Sequence, residues 1–182
     1  MMDIIRNNFT MFITTLTLLT HVLFFVFLVL IVFEKKFRNW FYQFVNTHVL
    51  VLIFGASLVA MVSSLIYSNA IGFPPCEFCW IQRIFMYPQV VISFMAFFYK
   101  DKNIVKYLLA LSVLGGLAAL YHSFAQWGIG TSLLECMSMG GVCGKLYVYE
   151  YGYITIPLMS FTIFAYLILI SVVYFKSLND RG

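Results

Sequence analysis

The chain has 182 residues, of which 63% are hydrophobic and only 10% are charged, and its formal net charge is +4. Soluble domains average about 25% charged residues, so this composition excludes a soluble protein and predicts a single-unit integral membrane protein. Because the basic residues do not cluster into one binding face, the positive charge does not indicate a nucleic-acid-binding protein.

Five apolar segments are long enough to cross a bilayer, which requires about 20 residues for a hydrocarbon core of ~30 Å. They are Phe9–Phe33, His48–Tyr67, Trp80–Tyr99, Ile104–Phe124 and Tyr153–Tyr174. The first is too long for the apolar core of a signal peptide, no A-x-A-like cleavage site follows it, and its strongest positive charges come after it. We therefore predict an all-α integral membrane protein whose first helix is retained.

Lysine and arginine residues in the short connections predict the orientation of the spans. Eight of these residues fall on one side: Lys35, Lys36, Arg38, Lys100, Lys102, Lys106, Lys176 and Arg181. The other side has Arg6 and Lys145, with Arg83 just inside a helix. We expect the richer side to be cytoplasmic, which places the N-terminus outside, the C-terminus in the cytoplasm and all four cysteines on the extracytoplasmic side, where disulfides persist.

The first span carries polar residues at three- and four-residue spacing, namely Thr10, Thr14, Thr17 and His21. This stripe predicts a helix face that meets the bundle or a partner helix. Within it, His21 is more typical of a packed, hydrogen-bonded residue than of a proton carrier.

A C-x-x-C motif, Cys76 and Cys79, lies at the start of the third span, directly after Pro75. Proline suits the first turn of a helix, and the partial positive charge of a helix N-terminus favours thiolates and lowers their pKa. Arg83 follows one turn deeper on the same face. It either stabilises a thiolate or the developing anion of an oxidant, or it reaches back to the lipid headgroups.

The fourth span has small residues on neighbouring turns: Ser112, Gly115, Gly116, Ala119 and Ser123. Small residues let helix backbones approach closely inside a membrane. We predict a packing face here, not a chemical site.

The second cysteine pair, Cys136 and Cys143, is spaced C-x6-C in the loop between the fourth and fifth spans. Gly140 and Gly141 allow the intervening chain to turn back, so a disulfide is geometrically easy. It is either a structural brace or a labile disulfide that exchanges with the first pair. A zinc or copper site is disfavoured, because C-x6-C is a poor half-site and neither motif contains a histidine.

The residues PPCEFCWIQRIFMYP at 74–88 resemble the signature of the DsbB/BdbC family of membrane disulfide-generating oxidoreductases. The second outer loop is also similar, with its cysteine pair followed by GKLYVYEYGYITIPLMS, and His122 and Gln126 match the family's H-x3-Q. The resemblance covers about residues 48–175 and implies a four-helix transmembrane bundle. The chain would then consist of an additional N-terminal helix and cytoplasmic loop (1–47), the bundle (48–175) and a short cytoplasmic tail (176–182).

The resemblance implies a thiol:quinone oxidoreductase in the cell membrane that supports disulfide formation in exported proteins. An extracytoplasmic thioredoxin-like (DsbA-like) thiol oxidase would be reoxidised through Cys136 and Cys143. Electrons would pass to Cys76 and Cys79 and then to a quinone, ubiquinone or menaquinone, with Arg83 and His122 at the quinone.

A different class of function is also compatible with the motifs. Two disulfides bracing the outer loops of a non-enzymatic membrane scaffold would place cysteines at the same positions. The two interpretations differ in whether the disulfides open and re-form.

Overall fold

The computed structural model describes residues 2–128 and 143–179, and within them it forms long helices joined by short connections. Helix α1 covers Met2–Phe33, α2 covers Lys35–Leu65, α3 covers Glu77–Tyr99, α4 covers Val105–Gln126 and α5 covers Ile156–Asn179. A π-helical turn, Ile66–Ala70, extends α2, and a 3-10 turn, Lys102–Ile104, precedes α4. Five helices in the described residues are long and apolar enough to cross a membrane, which confirms the predicted all-α membrane class.

The prediction of a loop at residues 34–47 is wrong, because α2 begins at Lys35. This segment contains neither glycine nor proline, and its aromatic rings pack on α1. The ring centroid of Phe27 lies 4.3 Å from that of Phe41 and 5.6 Å from that of Phe37. Tertiary packing of these rings therefore extends the helix beyond its apolar run.

The core of the bundle lies between α2, α3, α4 and α5, and includes Val49, Ile53, Leu108, Phe164 and Leu167. The predicted small-residue face of α4 is buried in this core. A Cβ atom added at Gly115 would lie 2.3 Å from the ring of Phe164. Only glycine at this position allows α4 and α5 to approach as closely as they do.

Helix α1 lies at the edge of the bundle, with most of its apolar side chains exposed on the outer face. Its threonine stripe is turned inward, and Thr10, Thr14 and Thr17 are buried. His21 forms hydrogen bonds through both ring nitrogens, to the Tyr153 hydroxyl at 3.1 Å and the Thr162 hydroxyl at 2.8 Å. These contacts confirm that the polar stripe faces the bundle and that His21 is packed and hydrogen-bonded.

Successive helices run in opposite directions, so successive connections lie at opposite ends of the bundle. The two ends differ in amino-acid composition. One end gathers the connections that carry Lys35, Lys100 and Lys102, and the Lys102 ammonium donates to the Asn46 carbonyl at 2.6 Å. At the other end, Gly72 has a φ of +82° and terminates the π-helical turn, a few residues before the first cysteine pair. We call these the basic end and the cysteine end.

Candidate active site

The first cysteine pair lies at the N-terminus of α3. Cys76 is the N-cap residue and Cys79 lies in the first turn, so the three-residue spacing puts both sulfurs on one face of the helix. Their Sγ atoms are 3.2 Å apart. A disulfide bond is about 2.0 Å long, so only a small side-chain rotation is needed to bring the sulfurs to bonding distance when an acceptor removes two electrons and two protons from this dithiol.

The two thiols are not equivalent, because the Cys76 thiol donates its proton toward the Cys79 sulfur. This hydrogen bond, together with burial, raises the pKa of Cys76 to about 12. The predicted lowering by the helix N-terminus is therefore wrong for Cys76: donation to Cys79 stabilises the protonated thiol, and burial disfavours its anion. Negative charge on the pair is favoured at Cys79 instead.

His122, near the end of α4, connects the first cysteine pair to the segment that carries the second. Its Nε2 atom lies 3.8 Å from the Cys76 Sγ and 3.2 Å from the Cys143 carbonyl oxygen. The Gln82 side-chain amide donates to its Nδ1 at 3.1 Å, so in the neutral ring the proton lies on Nε2. His122 is only 2% exposed, and it is positioned to exchange this proton with Cys76.

Arg83 is partly buried and is held by hydrogen bonds to α2. Its Nε donates to the Ser64 hydroxyl at 3.0 Å and its Nη2 donates to the Ser64 carbonyl at 3.1 Å, both in α2. The guanidinium also lies over the Trp80 ring, 5.1 Å from its centroid. Arg83 and Cys79 line the same cavity, and the role of the Arg83 charge stays a prediction.

A cavity of about 220 Å³ begins beside the dithiol and extends between the helices. Cys79, Arg83 and His122 line one part of it, and α1, α2 and α5 line the rest with aliphatic side chains and with several serine and threonine side chains. The Gln126 side chain also lines it, and its buried carbonyl oxygen has no hydrogen-bond partner within residues 2–128 and 143–179. An apolar cavity with a cation, an imidazole and an unused acceptor near a dithiol fits a flat apolar molecule with polar oxygens, such as a quinone.

The structure brings together five of the six residues that the sequence singles out: Cys76, Cys79, Arg83, His122 and Cys143. The sixth, Cys136, lies outside the described residues. Of the described second-loop residues, Cys143 is buried against the first pair in one apolar cluster.

Two side-chain contacts of the site residues are identified only by the fold. Ser64 fixes Arg83, and a serine on an apolar helix carries no sequence signal for that contact. Gln82, which the family signature includes, orients His122 across 40 residues of sequence.

Although neither cysteine motif contains a histidine, the fold brings His122 next to the first cysteine pair. The Sγ atoms of Cys76 and Cys79 and a ring nitrogen of His122 all lie within 4.8 Å of one another. Such a group can bind a thiophilic ion only while both thiols are reduced. Dithiol chemistry and metal binding would therefore exclude each other at this site.

Comparison with known proteins matches most of this chain to one protein family. The family model described as Disulfide bond formation protein DsbB matches residues 46–174. Disulfide bond formation protein C of Bacillus subtilis (strain 168) is 36% identical over 113 residues, covering 62% of this chain and 82% of the relative. A probable disulfide formation protein of Oceanobacillus iheyensis is 34% identical over 136 residues, covering 74% of this chain and 92% of the relative. No solved structure matches the chain.

Proposed function

The chain belongs to the DsbB family of membrane disulfide bond formation proteins, and from that premise we propose that it is a thiol:quinone oxidoreductase. The observation that carries this proposal is the position of the dithiol. Its sulfurs pack against His122 and Cys143, and both sulfurs line an apolar cavity together with Arg83. The dithiol is therefore next to the second cysteine segment and to a space that could hold an apolar acceptor.

The electrons pass through two thiol–disulfide exchanges. A reduced extracytoplasmic thioredoxin-like (DsbA-like) protein breaks the Cys136–Cys143 disulfide and leaves with a disulfide of its own. The resulting dithiol then breaks the Cys76–Cys79 disulfide and re-forms Cys136–Cys143. Re-formation of Cys76–Cys79 releases two electrons and two protons, which restores the starting enzyme.

A bound quinone, ubiquinone or menaquinone, supplies the two-electron, two-proton acceptor. Arg83 directs its charge to the cavity beside Cys79, where a fixed cation stabilises developing negative charge far better than it would in water. His122 holds a proton at Nε2 next to Cys76 and exchanges it as that sulfur changes between thiol and disulfide. The Gln126 oxygen is a further acceptor at the same cavity.

The orientation of the protein follows from the same proposal. We place the cysteine end on the extracytoplasmic side of the cell membrane and the basic end, with the C-terminus, in the cytoplasm. Residues 48–175 are the catalytic bundle in this proposal, residues 1–47 are an addition to it, and 176–182 form a short cytoplasmic tail.

The test is quinone reduction by the purified full-length protein, with a reduced thioredoxin-like protein as the electron donor. Cys79→Ser should abolish quinone reduction while leaving the thermal unfolding midpoint unchanged, because Cys79 is only half-buried and serine is nearly isosteric. The same variant should accumulate a mixed disulfide between Cys76 and the second pair, visible by mass spectrometry. Ser123→Ala, a buried hydroxyl on α4 whose only assigned role is a bond to its own helix, is the matched control.

Normal quinone reduction by Cys79→Ser would refute the relay. Disulfides that resist mild reductant and fail to re-form with quinone would instead support the scaffold interpretation, in which both pairs only brace the outer loops.

A further inference from the structure

Helix α1 forms part of the cavity wall, although it lies outside the family match at residues 46–174. Ile13, Leu16, Thr17 and Thr20 of α1 line the same cavity as Cys79 and Arg83. We infer that α1 is one wall of the acceptor site and that the isoprenoid tail of the quinone leaves the protein between α1 and α2. This inference rests on the proposed function.

Polar contacts fix α1 against the other side of the cavity, so it is not a loosely attached anchor. His21 bonds to Tyr153 and Thr162, and the hydroxyls of Thr15 and Tyr151 lie 2.9 Å apart. Hydrogen bonds between polar side chains help to hold transmembrane helices together. The side of α1 that faces α5 is therefore closed.

The side of α1 that faces α2 has an aromatic contact near each of its two ends. Near the cysteine end, the rings of Phe9 and Tyr67 pack with centroids 5.3 Å apart. Near the basic end, Phe27 packs on Phe41 at 4.3 Å. Phe9 and Phe27 are eighteen residues apart on α1, which corresponds to about 27 Å of helix.

Between these two aromatic contacts the cavity reaches the lipid-facing surface. Leu16 of α1 and Val59 of α2 both line the cavity, yet they are 42% and 54% exposed. We call this opening the α1–α2 window. Its apolar edges suit a hydrocarbon chain, while Arg83 and Cys79 lie at the inner end of the cavity, where the redox-active ring must be.

The chemistry of the acceptor thus divides between two parts of the site. The ring needs a cation and a nearby thiol, which α3 provides. A long isoprenoid tail needs an apolar path to the bilayer, and a tail-less quinone needs none. Substitutions at the window should therefore change the KM for long-tailed quinones and leave the KM for tail-less quinones unaffected.

Leu16→Trp tests this inference, because the larger side chain narrows the window without entering the packed core. Leu19→Trp is the matched control, since Leu19 is 53% exposed on the same helix and does not line the cavity. We expect Leu16→Trp to raise the KM for a long-tailed quinone about tenfold, equivalent to about 1.4 kcal/mol. The KM for a tail-less quinone should change less than twofold, and Leu19→Trp should change neither value.

A second measurement does not depend on turnover. A quinone with a photoreactive group in its tail, irradiated with the wild-type protein, should label peptides containing Leu16 or Val59. If wild type reduces both quinones but Leu16→Trp alters neither KM and the label falls on other helices, the inference is wrong and the proposed function stands. If wild type reduces neither quinone, the proposed function fails and the inference fails with it.

Discussion

The close approach of α4 to α5 at Gly115 makes a substitution there the most quantitative test of the fold. In Gly115→Ala the new Cβ would lie 2.3 Å from the Phe164 ring atoms Cε1 and Cζ. Carbon atoms in contact are ordinarily about 3.5–4.0 Å apart, so the ring must move by more than an ångström. Phe164 is fully buried and has no free space to enter.

Overpacking of this kind lowers the free energy of unfolding by about 1–3 kcal/mol. The higher helix propensity of alanine relative to glycine offsets about 1 kcal/mol of this loss at most. We therefore expect Gly115→Ala to lower the free energy of unfolding by up to about 2 kcal/mol. Unfolding by increasing mole fractions of sodium dodecyl sulfate in a mild detergent, followed by helical circular dichroism, measures this change.

Two other glycines provide controls for the same substitution. A Cβ at Gly116 would be 3.4 Å from the Phe164 Cβ, and a Cβ at Gly55 would have nothing within 4 Å. Gly55→Ala should be neutral or slightly stabilising, and Gly116→Ala should cost less than Gly115→Ala. Adding Phe164→Leu to Gly115→Ala should recover part of the loss, because the smaller side chain vacates the contact. If Gly115→Ala is as stable as Gly55→Ala, the assigned packing of α4 on α5 is wrong.

Three further predictions concern the site. Ser64→Ala removes one of the two acceptors that hold Arg83. Because hydrogen bonds to charged groups are worth about 1.5–3 kcal/mol, the KM for quinone should rise about tenfold or more. An unchanged KM would show that Arg83 does not serve the acceptor. Gln82→Glu replaces the amide donor with a carboxylate acceptor, so the proton on the His122 ring should move from Nε2 to Nδ1, which ¹⁵N NMR measures. A ring that keeps its proton on Nε2 would contradict the assigned hydrogen bond between Gln82 and His122. Because the pKa of Cys76 is raised to about 12, its neutral thiol is favoured below that pH. The rate of Cys76 alkylation in the reduced protein, measured by site-resolved mass spectrometry, should therefore rise about tenfold per pH unit up to pH 10. A plateau of this rate near pH 9 would indicate an ordinary thiol.

The parts of the fold that the sequence predicted correctly depend on local properties. Apolar length identifies the five helices, and the spacing of Thr10, Thr14 and Thr17 identifies the inner face of α1, because both follow from helix geometry. The extension of α2 back to Lys35 was missed, since it depends on rings of α1 that pack against it. Hydropathy detects burial in lipid but does not detect such contacts.

In the candidate site, too, the contacts that follow from local spacing are predictable from the sequence, and the contacts between helices are not. Cys76, Cys79 and Arg83 share one helix face, so their proximity is predictable from spacing alone. The Gln82–His122 and Arg83–Ser64 bonds join different helices, and no spacing rule relates them. The direction of the Cys76 pKa was mispredicted because a hydrogen bond to Cys79 and burial together outweigh the field of the helix terminus.

The asymmetry of the dithiol connects the two halves of the proposed relay. Cys76 faces His122 and the segment of Cys143, so incoming exchange is expected at the Cys76 sulfur. Attack there releases Cys79 as the leaving thiolate, and a more acidic leaving thiol leaves faster. Because Cys79 is the sulfur that accepts the hydrogen bond from Cys76 and is acted on by Arg83, the negative charge forms next to the acceptor cavity. In the proposed relay, electrons would therefore enter through Cys76 and leave through Cys79, and the mixed disulfide expected on Cys76 in the Cys79→Ser variant follows from that order.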